Sequence, residues 1–97
     1  MVTVTKKFEF ESAHHLPNYN GKCKNIHGHT FKLEVEVSEA PNEADVYPGM
    51  VIDFNDLKKI ITEKIIDKLD HKNLNEIFVF PPTSENMVQW MADQLRE

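Results

Sequence analysis

The chain of 97 residues has a single cysteine, Cys23, so no internal disulfide can form and nothing in it requires an oxidising compartment. No apolar run approaches the roughly 20 residues of a membrane-spanning helix, and no charged start followed by an apolar stretch marks a secretory leader. These absences point to a cytoplasmic protein without a membrane partner. Positive charge is also scarce: 11 Lys and Arg stand against 16 Asp and Glu, for a net charge of -5. A nucleic-acid surface needs Lys and Arg to neutralise phosphates, so no nucleic-acid partner is expected. Repeats and low-complexity segments are lacking too. What is present, 40% apolar residues, suits one domain over residues 1–97 with a modest core that self-association would help.

One local absence is more informative. Between Glu11 and Glu34 there is no acidic residue, while Lys22, Lys24, Lys32 and the histidines His14, His15, His27 and His29 all fall there. The plain account of three loop lysines is solvated charge. Beside a metal, they make a locally positive site that suits a small anionic ligand such as a phosphate ester.

The periodicity gives the elements. Val2, Val4, Phe8 and Phe10 alternate with polar residues, as do Phe31, Leu33, Val35 and Val37, which predicts two half-buried strands over residues 2–12 and 29–38. Residues 39–49, with Pro41 and Pro48 and no period, read as a loop. Asp53 is placed to cap a helix running to about Leu69, with Leu57, Ile60, Ile61, Ile65 and Leu69 on its buried face. A second helix follows Pro81-Pro82, capped by Thr83 or Ser84, with Glu85 in its positive first turn and Val88, Met91, Ala92 and Leu95 as its buried stripe. Strand, strand, helix, helix is an α+β layer fold. A two-stranded sheet with open edges is marginal by itself, which calls for further strands or for neighbouring subunits.

If the strands extend to the histidines, His14 shares the parity of Phe8 and Phe10, and His27 and His29 share that of Phe31 and Leu33. All three imidazoles then face the apolar side. Catalytic zinc is held by three protein ligands with one position open, so His14, His27 and His29 are the expected metal ligands, although imidazole also suits Cu, Fe and Ni. Gly28 is expected to keep the chain thin between two of them. His15, of opposite parity, is expected at the surface. Cys23 lies between Lys22 and Lys24, which favour its thiolate; general base, nucleophile and fourth metal ligand are all open to it. Asp70-His71 is either a polar helix end or a pair in which the carboxylate orients the imidazole for proton transfer. No Glu stands beside the histidines as in H-E-x-x-H, which argues against a zinc hydrolase.

The segments F10-E-S-A-H-H-L16, C23-K-N-I-H-G-H29, G49-M-V-I-D-F54, L69-D-H-K-N-L-N75 and P82-T-S-E-N86, in this order, resemble the 6-pyruvoyltetrahydropterin and 6-carboxytetrahydropterin synthase family. The resemblance implies zinc on His14, His27 and His29, a proton-transfer group of Cys23, Asp70 and His71, and help in holding the pterin ring from Thr83, Ser84 and Glu85. It implies the tunnelling fold, an antiparallel sheet with two helices on one face, closed into a barrel by three subunits and stacked into a hexamer. The Cys-to-His spacing resembles the branch that converts 7,8-dihydroneopterin triphosphate to 6-carboxy-5,6,7,8-tetrahydropterin, acetaldehyde and triphosphate in queuosine biosynthesis. A pyruvoyl product, or a zinc-binding remnant without turnover, are the alternatives. The pattern of the family continues past Glu97 with two strands, the last bearing a ring-anchoring glutamate, so the chain is expected to be short at its C-terminus.

Overall fold

The computed structural model describes residues 2–16, 21, 25–39 and 49–96. Two long strands dominate it, β1 (Val2–His14) and β2 (His27–Glu39), paired antiparallel from Val2↔Glu39 to His14↔His27. The alternation read from sequence sets this register. Even positions of β1 and odd positions of β2 turn to one face, where Phe10 and Val35 are buried and Phe8, Phe31, Leu33 and Val37 are partly so. Glu9, Glu11, Lys32, Glu34 and Glu36 turn outward and are exposed. Both strands run up to two residues beyond the expected limits, and the added residues include His14 and His27.

The helices cover the apolar face. Asp53 accepts a hydrogen bond from the Asn55 N–H at 2.7 Å and starts α1 (Phe54–Ile61), which runs through a π-helical turn over Thr62–Ile66 into α2 (Asp67–Leu69). Leu57, Ile61, Ile65 and Leu69 are all buried. Residues four apart drift about 40° per step around a regular α-helix. The wider π turn takes up residues without a full rotation and brings the later members of the series back to the sheet. Ile60, expected on this face, is exposed.

The chain then returns to β1. A short strand β3 (Lys72–Asn73) pairs parallel with Ser12 and Ala13, giving the order β2-β1-β3. The sheet is therefore mixed, where an antiparallel one was expected; two residues are too few to show a period. Ser12, buried, directs its hydroxyl at the carbonyls of Leu69 and Lys72 and fastens this return. Asn73 caps the single turn α3 (Leu74–Ile77), and Thr83 caps α4 (Ser84–Leu95) by accepting from the Asn86 N–H at 3.2 Å. The buried side chains of α4 are Met87 and Met91, whereas Val88 is 61% exposed and Leu95 is at the surface. Met91 is thus buried as read from sequence, while Met87 takes the place of Val88; Trp90 of α4 meets Phe78 edge-on, at 5.2 Å between ring centroids.

Candidate metal centre

The register puts His14 opposite His27, and Ser12 opposite His29, so three imidazoles collect at the last pairs of the β1–β2 ladder. Ring centroids stand 4.8 Å (His14–His27), 5.0 Å (His14–His29) and 4.5 Å (His27–His29) apart. Beneath them lies Phe31, edge-on to His14 at 5.3 Å and to His29 at 5.4 Å, itself stacked on Phe10. The cluster thus has an apolar floor and an outer side where His29 is exposed.

Two of the rings are oriented by carbonyls. His14 Nδ1 lies 3.0 Å from the Pro82 carbonyl oxygen, and His27 Nδ1 lies 2.8 Å from that of Asn25. A carbonyl only accepts, so each Nδ1 carries the proton and each Nε2 keeps its lone pair. The lone pair of His27 meets His29 Nε2 at 2.9 Å. That of His14 is buried and, among the described residues, has no hydrogen-bond partner. Burial, and then the neighbouring His27 and His29, push the His14 pKa down against the opposing Pro82 hydrogen bond.

One ligand atom from each of the three rings lies within 4.8 Å of the others. Two nitrogens on a tetrahedral zinc, each about 2.0–2.1 Å from it, stand about 3.3 Å apart. The spacing of the cluster and the orphaned His14 nitrogen fit a metal ion with small side-chain adjustments. Gly28, between two of the ligands, is in plain extended strand, and a Cβ there would meet nothing within 4 Å. Its expected backbone role is therefore not needed; alternation of the strand alone aims His27 and His29 together.

An open groove of about 570 Å³ runs beside the cluster, bordered by Glu11, Ser12, Ala13, Gly28, His29, Thr30, His71, Lys72 and Asn73. Here the structure brings Asp70 and His71 together: Asp70 Oδ2 is 2.9 Å from His71 Nδ1, and Asp70 Oδ1 accepts the Glu11 N–H at 2.9 Å. The Glu11 hydrogen bond and then His71 hold the Asp70 carboxyl below the usual carboxylate range. His71 has φ of 56°, in the left-handed region, and its N–H donates to the Glu11 carbonyl. That turn projects the imidazole outward, and its side chain is 78% exposed.

Cys23, with Lys22 and Lys24, lies outside the described residues. Thr83, Ser84 and Glu85 stand apart from the groove: the Thr83 hydroxyl caps α4, and Ser84 borders a separate hollow of about 90 Å³ with Phe10 and Met91. Their link to the cluster is Pro82, whose carbonyl orients His14. His15 is not at the surface as expected. It is half-buried, with its backbone held by Asn75. The orienting carbonyls of Pro82 and Asn25 carried no signal in the sequence, since backbone atoms are common to all residues, and Asn75 stood out only as the end of the L69-D-H-K-N-L-N75 segment, not as a partner of His15.

A family model described as 6-pyruvoyl tetrahydropterin synthase matches residues 3–97. The 6-carboxy-5,6,7,8-tetrahydropterin synthase of Haemophilus influenzae is 42% identical over 89 residues, 92% of this chain and 60% of that protein. The protein of the same name from Synechocystis is 38% identical over 99 aligned positions, covering 100% of this chain and 77% of that protein. The solved structure of Caenorhabditis elegans 6-pyruvoyl tetrahydropterin synthase superposes with a TM-score of 0.80 at 32% identity, over 98% of this chain and 76% of that one. The chain thus spans 60% of the Haemophilus relative's length.

Proposed function

The chain belongs to the 6-pyruvoyl tetrahydropterin synthase family, and on that footing we propose that it is a zinc-dependent lyase making 6-carboxy-5,6,7,8-tetrahydropterin from 7,8-dihydroneopterin triphosphate, with release of acetaldehyde and triphosphate. The observation that carries this reading is the convergence of His14, His27 and His29 on one point, with a buried, unpartnered Nε2 on His14. These three residues would hold the zinc. When bound, zinc supplies a Lewis acid that polarises substrate oxygens and eases loss of a proton from the adjacent carbon.

The chain's own groups handle the protons. Asp70, kept ionised by the Glu11 N–H and by His71, fixes the His71 tautomer with Nδ1–H toward the carboxylate. His71 Nε2 is then the atom that accepts or returns a proton, and the carboxylate steadies the imidazolium that results. Cys23 is the second proton-transfer group, its thiolate favoured by Lys22 and Lys24. Thr83, Ser84 and Glu85 contribute to holding the pterin ring. Lys32 and the loop lysines supply positive charge for the triphosphate. The enzyme works as a cytoplasmic homo-oligomer, a trimer or a hexamer, in which neighbouring subunits complete the sheet edges left open in one chain.

The carboxy product is favoured over the pyruvoyl one by the C23-K-N-I-H-G-H29 spacing. The test is incubation of the zinc-loaded protein with 7,8-dihydroneopterin triphosphate, following products by mass and acetaldehyde by a coupled assay. Carboxytetrahydropterin with acetaldehyde, lost in Cys23→Ala, is the expected result. A pyruvoyl product would replace it with the sister activity, and zinc binding without turnover would leave a metal-binding domain alone.

A further inference from the structure

We propose that Asn75 is a positioning residue of the metal centre, its side-chain amide standing in for a strand residue beside His15 and so fixing the reach of His14. The inference rests on the reading of His14, His27 and His29 as zinc ligands and adds a residue that touches none of them.

The need for such a residue follows from where the ladders stop. Pairing of β1 with β2 ends at His14↔His27, and pairing with β3 ends at Ala13↔Asn73. At Leu74 the chain turns into α3, so no strand backbone continues alongside His15. The Asn75 amide takes that place. Its Oδ1 accepts the His15 N–H at 2.9 Å and its Nδ2 donates to the His15 carbonyl at 3.0 Å. A primary amide offers the same donor and acceptor as a peptide group, so one side chain carries the pairing of this edge from Ala13 on to His15.

The amide is itself held firmly. The Asn75 N–H donates to Asn73 Oδ1 at 3.1 Å, and Leu74 between them is fully buried. His14 is therefore gripped twice, through its backbone neighbour by Asn75 and through its ring by the Pro82 carbonyl at 3.0 Å. A metal ligand must stay within about 0.5 Å of its productive position. A ligand on the last residue of a strand would otherwise fray with that strand's end.

The experiment measures zinc affinity of the full chain by competition with a chromogenic chelator, and records the visible spectrum of the Co²⁺ form. Wild type must bind zinc; its failure to do so would remove the metal reading itself, independently of Asn75. With wild type binding, folded Asn75→Ala is expected to lose roughly 10–100-fold in zinc affinity, the range seen for partners that orient ligands, with a shifted Co²⁺ band. Wild-type affinity and an unchanged band would overturn the proposal, even if the melting temperature fell. Should Asn75→Ala not fold, Asn75→Asp, which keeps the acceptor for the His15 N–H, is read in the same way. If neither folds, the amide serves the fold as a whole and the proposal fails.

Discussion

At the scale of single residues, the Asp70–His71 pair gives the sharpest expectations. The Asp70 pKa is depressed in the folded protein by the Glu11 N–H first and His71 second. A carboxylate with a depressed folded pKa adds stability that is complete above its unfolded pKa, about 4, and is lost as pH falls through the folded value. The stability difference between wild type and Asp70→Asn, present at pH 7, is therefore expected to shrink below about pH 4; urea unfolding at a series of pH values would show it. If the proposed lyase activity holds, Asp70→Asn should also bind zinc as wild type does and lower kcat by roughly 10²–10⁴-fold, the usual scale of general acid–base assistance. An equal loss of zinc would instead assign Asp70 to the metal site.

Elements reveal a different dependence. The side chains that seat α4 are Met91, which the sequence reading included, and Met87, which it did not, while Val88 is exposed. Met87→Ala is expected to cost about 2–5 kcal/mol by opening a cavity, and Val88→Ala no more than about 0.5 kcal/mol at its exposed position. Denaturant midpoints of the two variants decide the matter, and a larger loss from Val88→Ala would restore the stripe read from sequence. The reason for the difference lies outside α4. Helical alternation confines the apolar face to a sector, and the Trp90 contact with Phe78 selects the side of that sector that meets the core. The π turn in the preceding helix has the same character: the spacing of Leu57, Ile61, Ile65 and Leu69 announces a buried face, and only packing against the sheet forces the extra residue into a turn.

The whole molecule is long for its size. Its radius of gyration is 16.1 Å and its extents are 52 × 22 × 21 Å, whereas a compact chain of this length has a radius near 12.5 Å. The two thirteen-residue strands account for the long axis, and β3 covers β1 only at Ser12 and Ala13. Over the rest of that edge, and along β2, backbone groups of the described residues have no neighbouring strand. Such an edge invites another chain. Sedimentation is expected to give a mass of three or six chains, and the melting temperature should rise with protein concentration, as it does where folding and assembly are linked. A monomer whose melting temperature is independent of concentration would contradict the assembly.

By itself the sequence determined what depends on short periods and local chemistry. Alternation in residues 2–12 and 29–38 is enough to set both strands and their buried faces, and carried on to the histidines the same parity turns His14, His27 and His29 one way, because side-chain direction in a strand is fixed every two residues. The cap Asp53 was legible for a similar reason, and the second cap was narrowed to Thr83 or Ser84, since each acts within three residues. The Asp70–His71 contact was foreshadowed by adjacency. Tertiary structure alone decided what requires two distant segments to meet: the parallel return of Lys72-Asn73 to β1, the Pro82 carbonyl that sets the His14 tautomer, the Asn75 amide at His15 and the rotation of α4. The Leu69 and Pro82 carbonyls and the Asn75 amide lie 57 to 68 residues from the groups they hold. No period in the chain encodes them, because their pairing follows from how the layers pack.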